Sequence, residues 1–157
     1  MSLKFTDPKQ LKKLGETFEV MKEKAREDPI YFIDTFLFMF DPKNKPHNVQ
    51  FKTFPFQRRL IRSIISHIRN GEDLFIEKCR EMGATYSVLA AFLWMWLFDD
   101  ACSFLLGSRK EDYVDNRRGG ITGNKEESLF GKLDYMITRL PPFMLPQGWD
   151  SNRHFNY

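Results

Sequence analysis

Apolar and polar positions along the chain divide it into helices joined by short apolar runs. Leu11, Leu14, Phe18, Val20 and Met21, with lysines and glutamates between them, describe one buried stripe of a helix. Asp7 before Pro8 and Asp28 before Pro29 each place a capping carboxylate ahead of a proline at the first helical position. Two helices follow, over residues 8–27 and 29–40. In the second, Tyr31, Phe32, Ile33, Phe36, Leu37, Phe38 and Met39 cover nearly the whole circumference, which favours deep packing over a docking surface.

A polar connection over 41–52 leads to Thr53-Phe54-Pro55, the start of a third helix running to about Asn70. Leu60, Ile61, Ile64, Ile65 and Ile68 give it a core stripe, and Arg58, Arg59, Arg62 and Arg69 lie mostly elsewhere, as a solvated face. After Asn70-Gly71, the run Leu74-Phe75-Ile76 reads as a buried strand and residues 87–98 as a buried helix. Phe104-Leu105-Leu106 reads as a second strand. Ser108 and Glu111 have capping-box spacing, so a helix is expected at once. Arg117-Arg118-Gly119-Gly120-Ile121-Thr122-Gly123 reads as a basic surface loop, with DNA or a neighbouring subunit as the alternative contact. A capped helix over about 125–140 follows it.

The order is β-α-β-α. Two strands joined by a crossover helix imply parallel neighbours whose ends share one sheet edge. The expected class is α/β: an incomplete P-loop fold with a small parallel sheet flanked by helices. A helical N-terminal segment (1–44) precedes the ATPase-like part (45–157).

Composition narrows this only a little. With 157 residues and 42% hydrophobic content the chain suits one core. A charge of +3 and a pI of about 8.8 point to nucleic acid only faintly. Cys79 and Cys102 form no C-x-x-C pair, and a thiol inside a phosphate loop suggests a reducing compartment. His47, His67 and His154 are scattered, with no metal-ligand spacing. The opening ten residues are polar, and the longest apolar run, 88–98, is well short of the roughly 20 residues of a membrane span. A soluble, intracellular protein is expected.

The chemistry lies in Lys78-Cys79-Arg80-Glu81-Met82-Gly83-Ala84-Thr85, between the first strand and its helix. A Walker A loop reads G-x-x-x-x-G-K-[ST], with backbone amides around phosphate, a lysine for charge and a hydroxyl on magnesium. Here Gly83 and Thr85 are in register, Ala84 sits where the lysine is expected, and Lys78 replaces the opening glycine. Arg80 adds a planar donor suited to phosphate oxygens. The loop alone fits equally an ordinary strand-to-helix turn carrying a glycine and two cations. Ser108 and Arg109 are expected near the same sheet edge, where a cap and a solvated arginine compete with phosphate contact.

Residues 93–100, ending in Asp99-Asp100, imitate a Walker B strand. They come too soon. Only about four helical turns separate Thr85 from Asp99, and the helix after the loop needs that interval. The two acids are read as ending that helix.

Phe54-Pro55-Phe56-Gln57, the lysine-first octad, Gly107-Ser108-Arg109-Lys110-Glu111-Asp112 and Ser128-Leu129-Phe130-Gly131-Lys132 occur in that order. This ordered set resembles the ATPase domain of the terminase large subunit of tailed bacteriophages, over roughly residues 45–149. The resemblance implies ATP and Mg²⁺ as cofactors. It implies that Gln57 recognises adenine, that Lys78 and Arg80 contact phosphates within a loop that includes Cys79, Glu81, Met82 and Ala84, that Gly83 permits close approach, and that Thr85 ligates Mg²⁺. Arg109 is a candidate phosphate or subunit contact. Such motors drive double-stranded DNA into a procapsid with a portal protein and a small terminase subunit, in the cytoplasm of the bacterial host.

No Walker B strand, catalytic glutamate or nuclease domain follows in the sequence. The expectation is therefore an N-terminal portion of such a motor, with no catalytic residue of its own, that binds ATP weakly and turns it over poorly. Self-association through an uncovered sheet or the aromatic second helix is expected with it. Another P-loop enzyme, such as a helicase or small kinase, and a non-catalytic interaction module are the alternatives.

Overall fold

In a computed structural model of the chain, residues 8–100, 102–116 and 127–149 are described. The expected cap at Asp7, the side chain of Leu11, the basic loop at 117–123 and the expected helix start at 125 lie outside them.

Helix α1 (Pro8–Glu27) gives way directly to α2 (Pro29–Phe36), where the Asp28 carboxylate accepts a hydrogen bond from the Ile30 N–H at 2.9 Å. The stripe of α1 is buried only toward its C-terminal end. Ala25 is fully buried, Met21 packs on the core and Phe18 stacks on Phe143, whereas Val20 is 68% exposed.

Helix α2 stops four residues before the expected end. Leu37 is extended, and Phe38–Phe40 form strand β1, antiparallel to β2 (Asn48–Gln50) with Phe38 opposite Gln50. The Leu37 carbonyl accepts from the Phe51 N–H at 2.9 Å, so the backbone exchanges helical partners for cross-strand ones. Leu37 and Phe51 meanwhile stay in the core.

Helix α3 (Pro55–Asn70) has the expected bounds and ends at left-handed Gly71. It turns Ile61, Ile64 and Ile65 inward and Arg58, Arg59 and Arg62 outward. Helix α4 (Ala84–Phe98) is apolar on all sides because it is the central element, packed against α2, α3 and α6 (Leu129–Ile137). Burying each of its large side chains, such as Leu89 and Leu93, contributes about 1.5–3 kcal/mol. Its C-cap is Asp99, as the early placement of the two acids implied. Ser128 caps α6 by accepting from the Gly131 N–H, and a 3₁₀ turn at Pro142–Met144 closes the core.

Two expectations need correction. The parallel P-loop sheet is not seen: the sheet among the described residues is the antiparallel β1–β2 pair. Residues 74–76 and 104–106 belong to no helix or strand; Phe104 and Leu106 pack on the core with Leu105 at 98% exposure between them, whereas in 74–76 only Ile76 packs on the core and Leu74 and Phe75 are both exposed. No backbone hydrogen bond pairs them among the described residues. A parallel ladder needs cover on both faces, and here Phe75 and Leu105 are left exposed while α3 and α6 each pack on α4. Ser108 also does not cap a helix. Lys110 stands at the start of the four-residue α5 (Glu111–Val114), with no side-chain capping bond.

The core draws on both sides of residue 44, since Phe32, Ile33 and Leu37 belong to one cluster with Ile61, Leu89 and Met136. Among the described residues no helix is long and apolar enough to cross a membrane.

Candidate functional site

The octad runs from an extended segment into the first turn of α4. Its backbone is left-handed at Glu81 (φ 61°) and again at Gly83 (φ 69°), with Met82 between them on the ordinary side. Alternating handedness of this kind turns successive amides toward one side, as in anion-binding nests. Gly83 is the N-cap of α4, and its carbonyl accepts from the Ser87 N–H at 3.0 Å and the Ser87 hydroxyl at 3.1 Å. Ala84 and Thr85 thus supply first-turn amides that have no acceptor within the helix, at the positive end of the α4 dipole.

Lys78 and Arg80 are exposed and form no ion pair among the described residues. Cys79 is an exposed free thiol. The Glu81 carboxylate forms an exposed ion pair with Lys43, whose Nζ donates to Oε1 at 3.0 Å. Met82 is partly exposed, and Thr85 presents an exposed hydroxyl on the first turn of α4. Cations, first-turn amides and one hydroxyl are what a triphosphate with its magnesium requires.

Gln57 is placed differently from a base reader on the surface. It is buried, at 6% exposure; its Oε1 accepts from the Phe54 N–H at 2.9 Å and its Nε2 donates to the Met82 carbonyl at 3.1 Å. The start of α3 and the octad are therefore joined through one amide. Arg109 is not joined to the octad by any hydrogen bond or ion pair among the described residues. Its guanidinium donates to the Tyr113 hydroxyl at 3.3 Å and lies over that ring. This bond, with the charge of Arg109 and then of Lys110, holds the Tyr113 hydroxyl below its ordinary pKa.

Asp99 is used at the far end of α4. Arg69 grips it, with Nη2 2.9 Å from Oδ1 and 3.0 Å from Oδ2. Thr85 and Asp99 lie about 20 Å apart along a helix rising 1.5 Å per residue, so one magnesium ion cannot touch both.

Two residues beside the loop, Tyr86 and Lys132, and Asp34 on α2 had no role in the sequence reading. Tyr86 both accepts from the Phe40 N–H and donates to the Phe40 carbonyl, each at 3.2 Å, fixing the first turn of α4 to β1. Lys132 lies 5.9 Å from the Tyr86 ring centre and donates to the Glu127 carbonyl; burial lowers its pKa, against a weaker opposing pull from Glu127. Asp34 accepts from the Thr53 N–H and hydroxyl and from Arg58, tying α2 to the start of α3. A lone acid inside the apolar run 29–40 was the available signal for Asp34. For Lys132 it was a lysine inside a quoted motif that nothing else used. Compared with protein-family models, curated proteins and solved structures, the chain has no match.

Proposed function

We propose that this chain binds ATP with Mg²⁺ through residues 78–85 and forms the nucleotide-binding part of a viral DNA-packaging motor of the terminase type. The observation that carries the reading is the loop itself. Two cations that form no ion pair among the described residues, Lys78 and Arg80, stand on a backbone of alternating handedness that runs into the first-turn amides of α4. The ordered set of motifs from Gln57 to Lys132 ties such a loop to the terminase large subunit. On this reading Lys78 and Arg80 hold phosphate oxygens, Gly83 lets the backbone approach, and the Thr85 hydroxyl ligates magnesium, which would offset the charge of the triphosphate. Double-stranded DNA, a portal protein and a small terminase subunit are the partners of such a motor. The acid that ends α4 lies about 20 Å from Thr85, beyond the reach of a magnesium ion held there, so binding with little turnover is expected.

Thermal unfolding with and without Mg·ATP tests this. Ligand at about 100 times its Kd adds about 2.7 kcal/mol, and Lys78→Ala and Arg80→Ala each weaken binding on the order of tenfold by removing a charge-assisted contact. Absence of any shift at millimolar Mg·ATP would sink the proposal. It would favour a non-catalytic interaction module, the reading supported by the outward-facing Phe75 and Leu105.

A further inference from the structure

We infer that Gln57 is a positioning residue that latches the phosphate loop, acting on the triphosphate irrespective of the base; this rests on the phosphate-loop reading above. An amide side chain offers two N–H donors and two lone pairs, and in a buried Gln57 one of each is already engaged inside the protein. The orientation of that amide is set by its partners. Turned over, it would set N–H against the Phe54 N–H and oxygen against the Met82 carbonyl.

The Met82 carbonyl it holds lies between the two left-handed residues, so the bond pins the one peptide that determines where the following amides point. Gly83 shows how closely the latch fits. A Cβ at that position would lie 2.5 Å from Gln57 Nε2, and its φ of +69° is one that side chains disfavour. The glycine of the octad therefore makes room first for the glutamine amide. Losing the latch frees the loop before any ligand arrives, and every ligand that needs the loop suffers equally.

A double-mutant cycle of Gln57→Ala and Gly83→Ala by thermal unfolding reads the latch without any nucleotide. Gly83→Ala alone meets both the collision and the strained φ, but in the Gln57→Ala background only the strain remains. Its loss of Tm is then smaller by roughly 3 °C or more; strictly additive losses overturn the latch. Gln57→Glu keeps an acceptor for the Phe54 N–H and removes the donor to Met82. Amide exchange should quicken over 80–84 while Phe54 stays protected, and unchanged exchange over 80–84 overturns it. In the ligand arm, Gln57→Ala should weaken Mg·ATP, Mg·GTP and magnesium tripolyphosphate by one common factor, on the order of tenfold. A loss confined to ATP makes Gln57 an adenine reader and overturns the inference. If the unmodified chain binds none of the three, the phosphate reading fails, and the cycle and the exchange data still decide the latch.

Discussion

Lys132 carries a cost that depends on pH. Burial holds its ammonium below the usual value of 10.5, while the unfolded chain returns it to that value. Below the lowered pKa both states are protonated and the folded state bears the whole penalty. As pH rises through it the folded state sheds the proton, and above 10.5 the penalty is gone. The unmodified protein should therefore gain stability relative to Lys132→Met as pH climbs toward 10.5, measured as urea midpoints across the range. A gap that stays constant with pH rejects this account. Residue-scale signals that depend on near neighbours were legible in the sequence: Asp28 caps as its proline predicted, and Asp99 ends its helix. The partners of Gln57 and Arg109 were not, because Met82 lies 25 positions from Gln57 and the Arg109 guanidinium folded back on Tyr113.

Elements set by local rules came out nearly as expected, α1 and α3 among them. Replacing Asp28 by Ala removes the N-terminal cap of α2 and should cost about 1 kcal/mol, a fall of roughly 3 °C in Tm that thermal denaturation reads directly. No change in Tm would mean that the proline after it suffices to start the helix. The hairpin was hidden because Phe38, Met39 and Phe40 are three apolar residues in a row, too few to show an alternating period. What draws them out of the helix is Phe51, 14 residues beyond Leu37 and inside a polar stretch. Helix α4 begins at Ala84, earlier than the apolar pattern over 87–98 showed, because Gly83 and Ser87 close its first turn through hydrogen bonds. Of the two expected strands, 104–106 has the alternation of a strand and 74–76 does not. A ladder is a property of two neighbours, so neither sequence run by itself could specify one.

At the scale of the molecule, the helices share one core, and the extended segments lie along it with one side bare. Phe75 and Leu105 are exposed beside backbone groups that have no strand partner among the described residues, the arrangement that promotes edge-to-edge pairing. Phe75→Lys with Leu105→Lys should lower the association seen by sedimentation as concentration rises, and leave Tm nearly unchanged because neither side chain is in the core. Undiminished association would move the sticky surface elsewhere. The aromatic second helix is a poor candidate, since Phe32, Ile33 and Phe36 are already buried.

The central helix is pinned at both ends, by Tyr86 on the backbone of Phe40 and by Asp99 in the grip of Arg69. A rod held this way is tied to the rest of the fold at both tips. On the proposal that phosphate binds beside Thr85, a shift of that first turn would bear on the Arg69 contact about 20 Å away, and the helix would then couple two distant points of the fold besides filling its core.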